Sequence, residues 1–245
     1  IIMLPLRFIV KERVIYKRST VVTIKSMFHA VFSNKYLLVF YASYIAITAT
    51  MTSMTIAPYF AKWNLGDIGI QTIIMATMAV PMLLIPILAP YLVKKFGKRK
   101  IFLYGIGSSI IFSILQYVVG YELFGIFLLL NALKSIGLLS PMILSGMFSA
   151  DCVEYGAYKL GERNEGVIFS IQTFSTKLGS AISGALALFI ISAFGYVGTA
   201  AVQTESALNG IWISLSLIPI VGLIISFILF GLFYKLSESD VAMMI

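Results

Sequence analysis

The segment QTFSTKLGSAISG, Gln172 to Gly184, places a lysine deep in an apolar run, far from any other charge. On a helix, residues three, four and seven apart share a face, so Lys177 sides with Ser170, Thr173, Ser180 and Gly184. Gln172 and Thr176 lie one step round. The result is a polar wedge on an otherwise apolar helix. Lys177 sits roughly 17 Å from the start of that helix, at 1.5 Å per residue. An ionisable group at such depth in a membrane is a functional site by default. It also needs a counter-charge or water, because burying an unpaired ammonium costs several kcal/mol. The ten acidic residues all fall in expected loops or at span ends, so none lies at the depth of Lys177. The chemistry expected of Lys177 is therefore electrostatic. It faces a polar cavity and awaits a carboxylate from elsewhere in a longer molecule.

A second polar stripe runs Tyr44, Thr48, Thr52, Thr55, Tyr59, spaced as one helix face. Aromatic rings and hydroxyls suit a sugar, whose ring face packs on aromatics while its hydroxyls exchange hydrogen bonds. The same threonines equally suit bonds back to their own helix carbonyls. Both readings stand on sequence alone. Lys134, with Asn131 and Ser135, forms a weaker polar patch, facing either the same cavity or its outer mouth. Ser175, Gly179, Ser183 and Ala187 repeat every four residues, the spacing of a close helix–helix contact.

The elements that must position these residues are membrane spans. Of 245 residues, 60% are hydrophobic and 11% charged, against about 25% charged in soluble domains. Six apolar stretches are long enough to span: 36–60, 68–93, 101–120, 123–149, 166–194 and 208–234. Loop chemistry separates them, including KKFGKRK and the acidic SADCVEYGAYKLGERNEG, which reads as a solvated loop. Prolines inside the spans, Pro81, Pro86, Pro90, Pro141 and Pro219, are tolerated where neighbours satisfy the freed carbonyls. Lysine and arginine set the orientation. Fifteen of the 18 lie on one side, which the positive-inside rule makes cytoplasmic, together with both termini. Residues 19–34 are too short and polar to span. Val21, Ile24, Phe28 and Val31 or Phe32 share a face, so this stretch is expected as an amphipathic helix on the cytoplasmic membrane surface, capped by Ser19 or Thr20. The opening IIMLPLRFIV reads as the tail of a cut apolar span, so a longer parent chain is expected.

One cysteine and one histidine leave no metal-ligand spacing, and there is neither a phosphate-binding loop nor a nucleophile elbow. The chain is not expected to be an enzyme, and neither a cofactor nor a nucleic-acid partner is expected. The net charge of +8 is a topology signal.

Over about thirty residues the chain resembles the glycoside–pentoside–hexuronide:cation symporters, relatives of the melibiose carrier in the major facilitator superfamily. The motif is carried by Asp151, Glu154, Tyr155 and Gly156, then Gly161, Arg163 and Glu165, then Ser170, Gln172, Thr173, Lys177, Gly179, Ser180 and Ala181. The resemblance implies an all-α membrane protein: a six-transmembrane-helix bundle, residues 36–234, forming the C-terminal half of a major-facilitator fold. An end of the preceding helix and a cytoplasmic amphipathic linker would fill 1–35, and a cytoplasmic tail 235–245. It implies a sugar symporter of the cell membrane that works by alternating access, taking a glycoside, pentoside or hexuronide with sodium or protons. The main cation ligands would lie in an N-terminal six-helix half. Gln172, Thr173 and Thr176 would border the sugar, with Tyr44 and Thr48 from the second stripe. Lys177 would serve coupling, and Asp151, Glu154 and Arg163 would form cytoplasmic gating ion pairs. Ala157 stands where many members carry an acid, Met142 where the melibiose carrier has an aromatic, and Lys134 has no family counterpart. The alternatives are a non-transporting receptor or scaffold with a carrier fold, and a six-span half-carrier acting as a homodimer.

Overall fold

A computed structural model describes residues 23–161 and 163–244. The described residues fold as helices: α1 (Ile24–Ser33), α2 (Lys35–Thr50), α3 (Ser53–Trp63), α4 (Ile70–Phe96), α5 (Lys98–Val119), α6 (Phe124–Leu160), α7 (Glu165–Ala193), α8 (Glu205–Phe233) and α9 (Glu238–Met244). Six spans are long and apolar enough to cross a membrane, with α2 and α3 counting as one. The surface agrees with lipid contact. Val80, Leu83, Ile87, Val118 and Phe189 all point outward, an apolar exposure that water-soluble monomers do not tolerate over a contiguous patch.

The helices form one bundle. α2 packs between α7 and α8, α5 lies against α6 and α8, α4 lies on α6, and α3 on α8. Two apolar cores fill it. At the end carrying the 94–100 basic cluster, Phe40, Phe102, Phe148, Phe230 and Tyr234 interlock, with the Phe102 and Phe230 ring centroids 3.9 Å apart. At the opposite end Phe60 packs on Phe127 and Trp212. Small residues let backbones touch. A Cβ on Gly137 would lie 2.0 Å from the Gly105 carbonyl oxygen, so α5 and α6 cross at this glycine pair. The expected stripe on α7 does the same against α2: Ser175, Gly179, Ser183 and Ala187 are all buried, and a Cβ on Gly179 would meet the Thr48 hydroxyl.

Two span boundaries differ from the sequence expectation. The first span is broken at Met51–Thr52 into α2 and α3. The cause lies across the bundle. Pro219 has no N–H to give the Leu215 carbonyl four residues earlier. The Ser53 hydroxyl donates to that carbonyl at 2.7 Å, and the Thr52 hydroxyl donates to the neighbouring Ser214 carbonyl. These bonds to α8 sit at the break, where Met51 and Thr52 fall between the two helices. The face proposed to run continuously from Tyr44 to Tyr59 is therefore interrupted. The second difference is α6, which continues through the expected 150–166 loop to Leu160. Its 37 residues reach about 55 Å at 1.5 Å each, well beyond a hydrocarbon core of about 30 Å. The extension is held by Asn34, whose amide donates to the Cys152 carbonyl at 2.7 Å. It ends at Gly161, which takes the left-handed conformation at φ 71° that favours glycine.

Helix α1 begins later than expected. Its N-cap is Thr23 rather than Ser19 or Thr20, because Thr23 and Ser26 exchange side-chain and backbone bonds in a capping box (3.2 and 3.0 Å). Ile24, Phe28 and Phe32 are 74%, 58% and 66% exposed along one face, as a helix lying on a membrane surface requires. Residues 19–22 of the expected amphipathic helix, and the opening IIMLPLRFIV expected as the end of a preceding helix, lie outside the described residues. After α8 the chain turns back as α9, whose Glu238 carboxylate accepts the Lys98 backbone N–H at 2.7 Å and caps α5. The Ser237 hydroxyl and backbone N–H both donate to the Asp240 carboxylate (2.6 and 2.9 Å), holding it below its usual range.

The Ser53–Pro219 relation is testable. Ser53→Ala should cost about 1–2 kcal/mol, the penalty for an unsatisfied buried carbonyl, read as a lower thermal midpoint. In a Pro219→Ala background, where an amide N–H is restored to Leu215, the same change should cost much less. Equal losses in both backgrounds would refute the account of the break.

Candidate functional site

The sequence-nominated polar residues fall into three groups. The first is a buried seam where α2, α6 and α7 meet. Helix α6 brings Ser145 and Ser149, four residues apart on one face. Helix α7 brings Gln172, whose amide lies between them. Its Nε2 donates to Ser145 Oγ at 3.0 Å, and its Oε1 lies 3.4 Å from the Ser149 hydroxyl. Helix α2 closes the seam with two tyrosines. Tyr41 OH is 2.6 Å from Ser149 Oγ, and Tyr44 OH is 3.5 Å from Thr176 Oγ1. Both tyrosines are buried and Gln172 and Thr176 half-buried, so the seam opens toward the α7 side. Each group in it can both give and take a hydrogen bond except the Gln172 amide ends, which are fixed by their serine partners.

The structure thus brings Tyr44, Gln172 and Thr176 together. It places Thr48 differently. The Thr48 hydroxyl donates to its own helix, to the Tyr44 carbonyl at 3.0 Å and the Ile45 carbonyl at 3.3 Å, and its side chain packs on Gly179. Of the two sequence readings for this threonine, the contacts are those of back-bonding and packing. Tyr41, Ser145 and Ser149 were missed by sequence reasoning. The signal was there: Tyr41 precedes Tyr44 by one helical step, and the two serines share a face.

The second group is the open face of α7. Ser170, Thr173, Lys177 and Ser180, set on one face by their spacing, are all exposed. The Ser180 hydroxyl bonds back to the Thr176 carbonyl at 2.9 Å, and Thr173 more weakly to Phe169 at 3.4 Å. Lys177 has neither a carboxylate nor a hydrogen-bond acceptor among the described residues. Helix α7 therefore has a packed side, the small-residue stripe against α2, and an unpacked side that carries its charge.

The third group lies at the basic end, around the packed extension of α6. Lys98 Nζ donates to Asp151 Oδ1 at 2.7 Å and Oδ2 at 2.5 Å. Arg163 bridges Glu154 at 2.6 Å and Glu165 at 3.0 Å. Lys98 was missed as the partner of Asp151, although it sits in the KKFGKRK turn. These pairs join the α4–α5 turn to α6, and the end of α6 to the start of α7. Among the described residues, every ion pair lies at this end of the bundle.

Comparison with known proteins places this arrangement. A family model described as MFS/sugar transport protein matches residues 2–238. An uncharacterized symporter of Bacillus subtilis is 30% identical over 96% of this chain and 51% of its own length. An isoprimeverose transporter of Lactiplantibacillus pentosus is 31% identical over 85% of this chain and 43% of its own. A glucuronide carrier protein homolog of Escherichia coli is 30% identical over 74% of this chain and 39% of its own. The chain spans about half the length of the curated relatives it matches. These are transporters rather than enzymes, and six apolar helices fit half of such a fold. The chain belongs to the MFS/sugar transport family, in the glycoside–pentoside–hexuronide group that its 151–181 motifs resemble.

Proposed function

We propose that the protein containing this chain is a cation-coupled symporter of a sugar or glycoside in the cell membrane. This chain would supply the C-terminal six-helix bundle and an N-terminal bundle would supply the main sodium or proton ligands. The observation that carries the reading is Lys177. It sits about 18 Å along α7, on an exposed polar face, without a partner among the described residues. A bundle that ended there would leave a cation facing lipid, which is costly. A facing bundle with carboxylates would complete the site and make it water-filled.

The geometry and the family resemblance support the following residue roles. Gln172, Thr173 and Thr176 would offer hydrogen bonds to sugar hydroxyls, with Tyr44 contributing a ring edge and a hydroxyl at the back of the seam. Thr48 would hold α2 against α7 and so position Tyr44. Lys177 would compete with the coupling cation for the opposing carboxylates, tying occupancy to conformation. Asp151, Glu154 and Arg163 would belong to the cytoplasmic gate, with Lys98 as a further member. Alternating access would rock one bundle against the other about the sugar site. In that motion the open face of α7 is the surface that changes partners, while the packed α2–α7 contact moves as a unit. The relatives named for isoprimeverose and for glucuronide support a sugar-based substrate, with or without an acidic group.

The experiment is solute-driven sodium and proton entry into vesicles containing the full-length protein, tested with neutral glycosides, pentosides and glucuronides. Coupled entry with one class supports symport, and uptake without cation entry would replace it by facilitated diffusion. Within that assay, Lys177→Ala should abolish concentrative uptake while expression stays near normal. Unchanged accumulation would remove Lys177 from coupling. Gln172→Ala should raise KM for the sugar about tenfold or more, the value of one or two lost hydrogen bonds. A fall in turnover with KM unchanged would instead assign Gln172 to the conformational step.

A further inference from the structure

A second cation lies inside the bundle, away from the seam. Lys134 is on α6, about 15 Å from its Phe124 end, and is only 7% exposed. Its ammonium donates to Gln116 Oε1 on α5 at 2.5 Å. Gln116 is itself held fast, its Nε2 donating to the Phe127 carbonyl at 3.3 Å. One of the three Nζ donors is thereby used, and its acceptor is neutral. Among the described residues no carboxylate pairs with Lys134.

Lys134 also borders a cavity of about 40 Å³ between α3, α4, α5, α6 and α8. Ser113 and Asn131 share its polar wall, and Met54, Met75 and Met78 form part of the apolar one. Ser113 is 3% exposed, and its hydroxyl has no hydrogen-bond partner among the described residues. The Asn131 amide nitrogen is committed to Thr77 Oγ1 at 2.6 Å and to the Ile74 carbonyl at 3.3 Å. The free donors at the wall are thus the remaining Lys134 N–H groups and the Ser113 hydroxyl. The space exceeds the roughly 10–15 Å³ that one water needs and is far too small for a sugar ring.

We propose that this cavity is a binding site for a small anionic group, with Lys134 as its cation and the Ser113 hydroxyl as its second donor. The occupant is a free halide, because a sugar acid carries its carboxylate directly on a ring that this cavity cannot hold. A buried ammonium with a neutral partner calls for a negative charge. The cavity supplies the room, and its donors match an acceptor-only ligand. The site is independent of the Lys177 face and does not rest on the transport reading.

The test is the thermal midpoint of the detergent-purified full-length protein, with chloride titrated against sulfate at constant ionic strength. Chloride should raise the midpoint by about 2–4 °C at saturation. The gain over the general salt effect should vanish in Lys134→Met, which removes the cation, and in Ser113→Leu, which keeps the cation and fills the cavity. A chloride effect equal in all three proteins, or no chloride effect in the native protein, would overturn the proposal.

Discussion

In hydrocarbon a backbone carbonyl that loses its helical partner has no water to turn to, and this bundle is arranged around that constraint. At two of the prolines inside the helices, Pro141 and Pro219, a serine answers it. Pro141 frees the Gly137 carbonyl, which the Ser140 hydroxyl takes at 2.8 Å. Pro219 frees the Leu215 carbonyl, which Ser53 takes from another helix. The second solution shapes the molecule. It breaks the first span, ties α3 to α8, and leaves α2 free to lie against α7. The contact of α2 with α7, made close by Thr48 over Gly179, then sets Tyr44 beside Thr176 and Tyr41 beside Ser149. The polar seam lies on the α2 side of the break.

The same constraint separates the legible from the hidden in the sequence. The six spans, the small-residue stripe of α7 and the exposed face of Lys177 follow from helical periodicity alone, because each depends on one helix. The break at Met51–Thr52 was not legible. It depends on Pro219, more than 160 residues away, and on a serine that reads locally as an ordinary helix residue. The extension of α6 through residues 150–160 was hidden by its charges and glycines. Asp151 and Glu154 look like loop residues until Lys98 and Arg163 are found beside them. Thr48 shows the limit of stripe reasoning: its spacing suits a binding face, but its hydroxyl is committed to its own backbone. Gln172 was legible as polar, yet its serine partners on α6 required the fold.

The proposed function rests on an asymmetry of α7. One side is small and sealed against α2, while the other is polar, charged and unpartnered among the described residues. A helix built this way suits an interface that opens and closes, because motion of the bundle leaves its internal packing intact. The ion pairs at the basic end extend the same logic. Lys98–Asp151 and Glu154–Arg163–Glu165 tie neighbouring elements of one bundle, bracing this end as one body. Glu238, capping α5 from the returning tail, adds the last helix to that body.

The central claim is that the open face of α7 borders a water-filled path that a sugar occupies. Single cysteines introduced by Thr173→Cys and Ser180→Cys in the full-length protein, with its native cysteines replaced, test it through their rates of reaction with a hydrophilic, membrane-impermeant thiol reagent. The account predicts rapid labelling at both positions, slowed by a transported sugar, and no labelling of a Phe189→Cys control. Labelling of Thr173→Cys and Ser180→Cys only by lipid-soluble reagents, indifferent to sugar, would place this face against the bilayer and contradict the account.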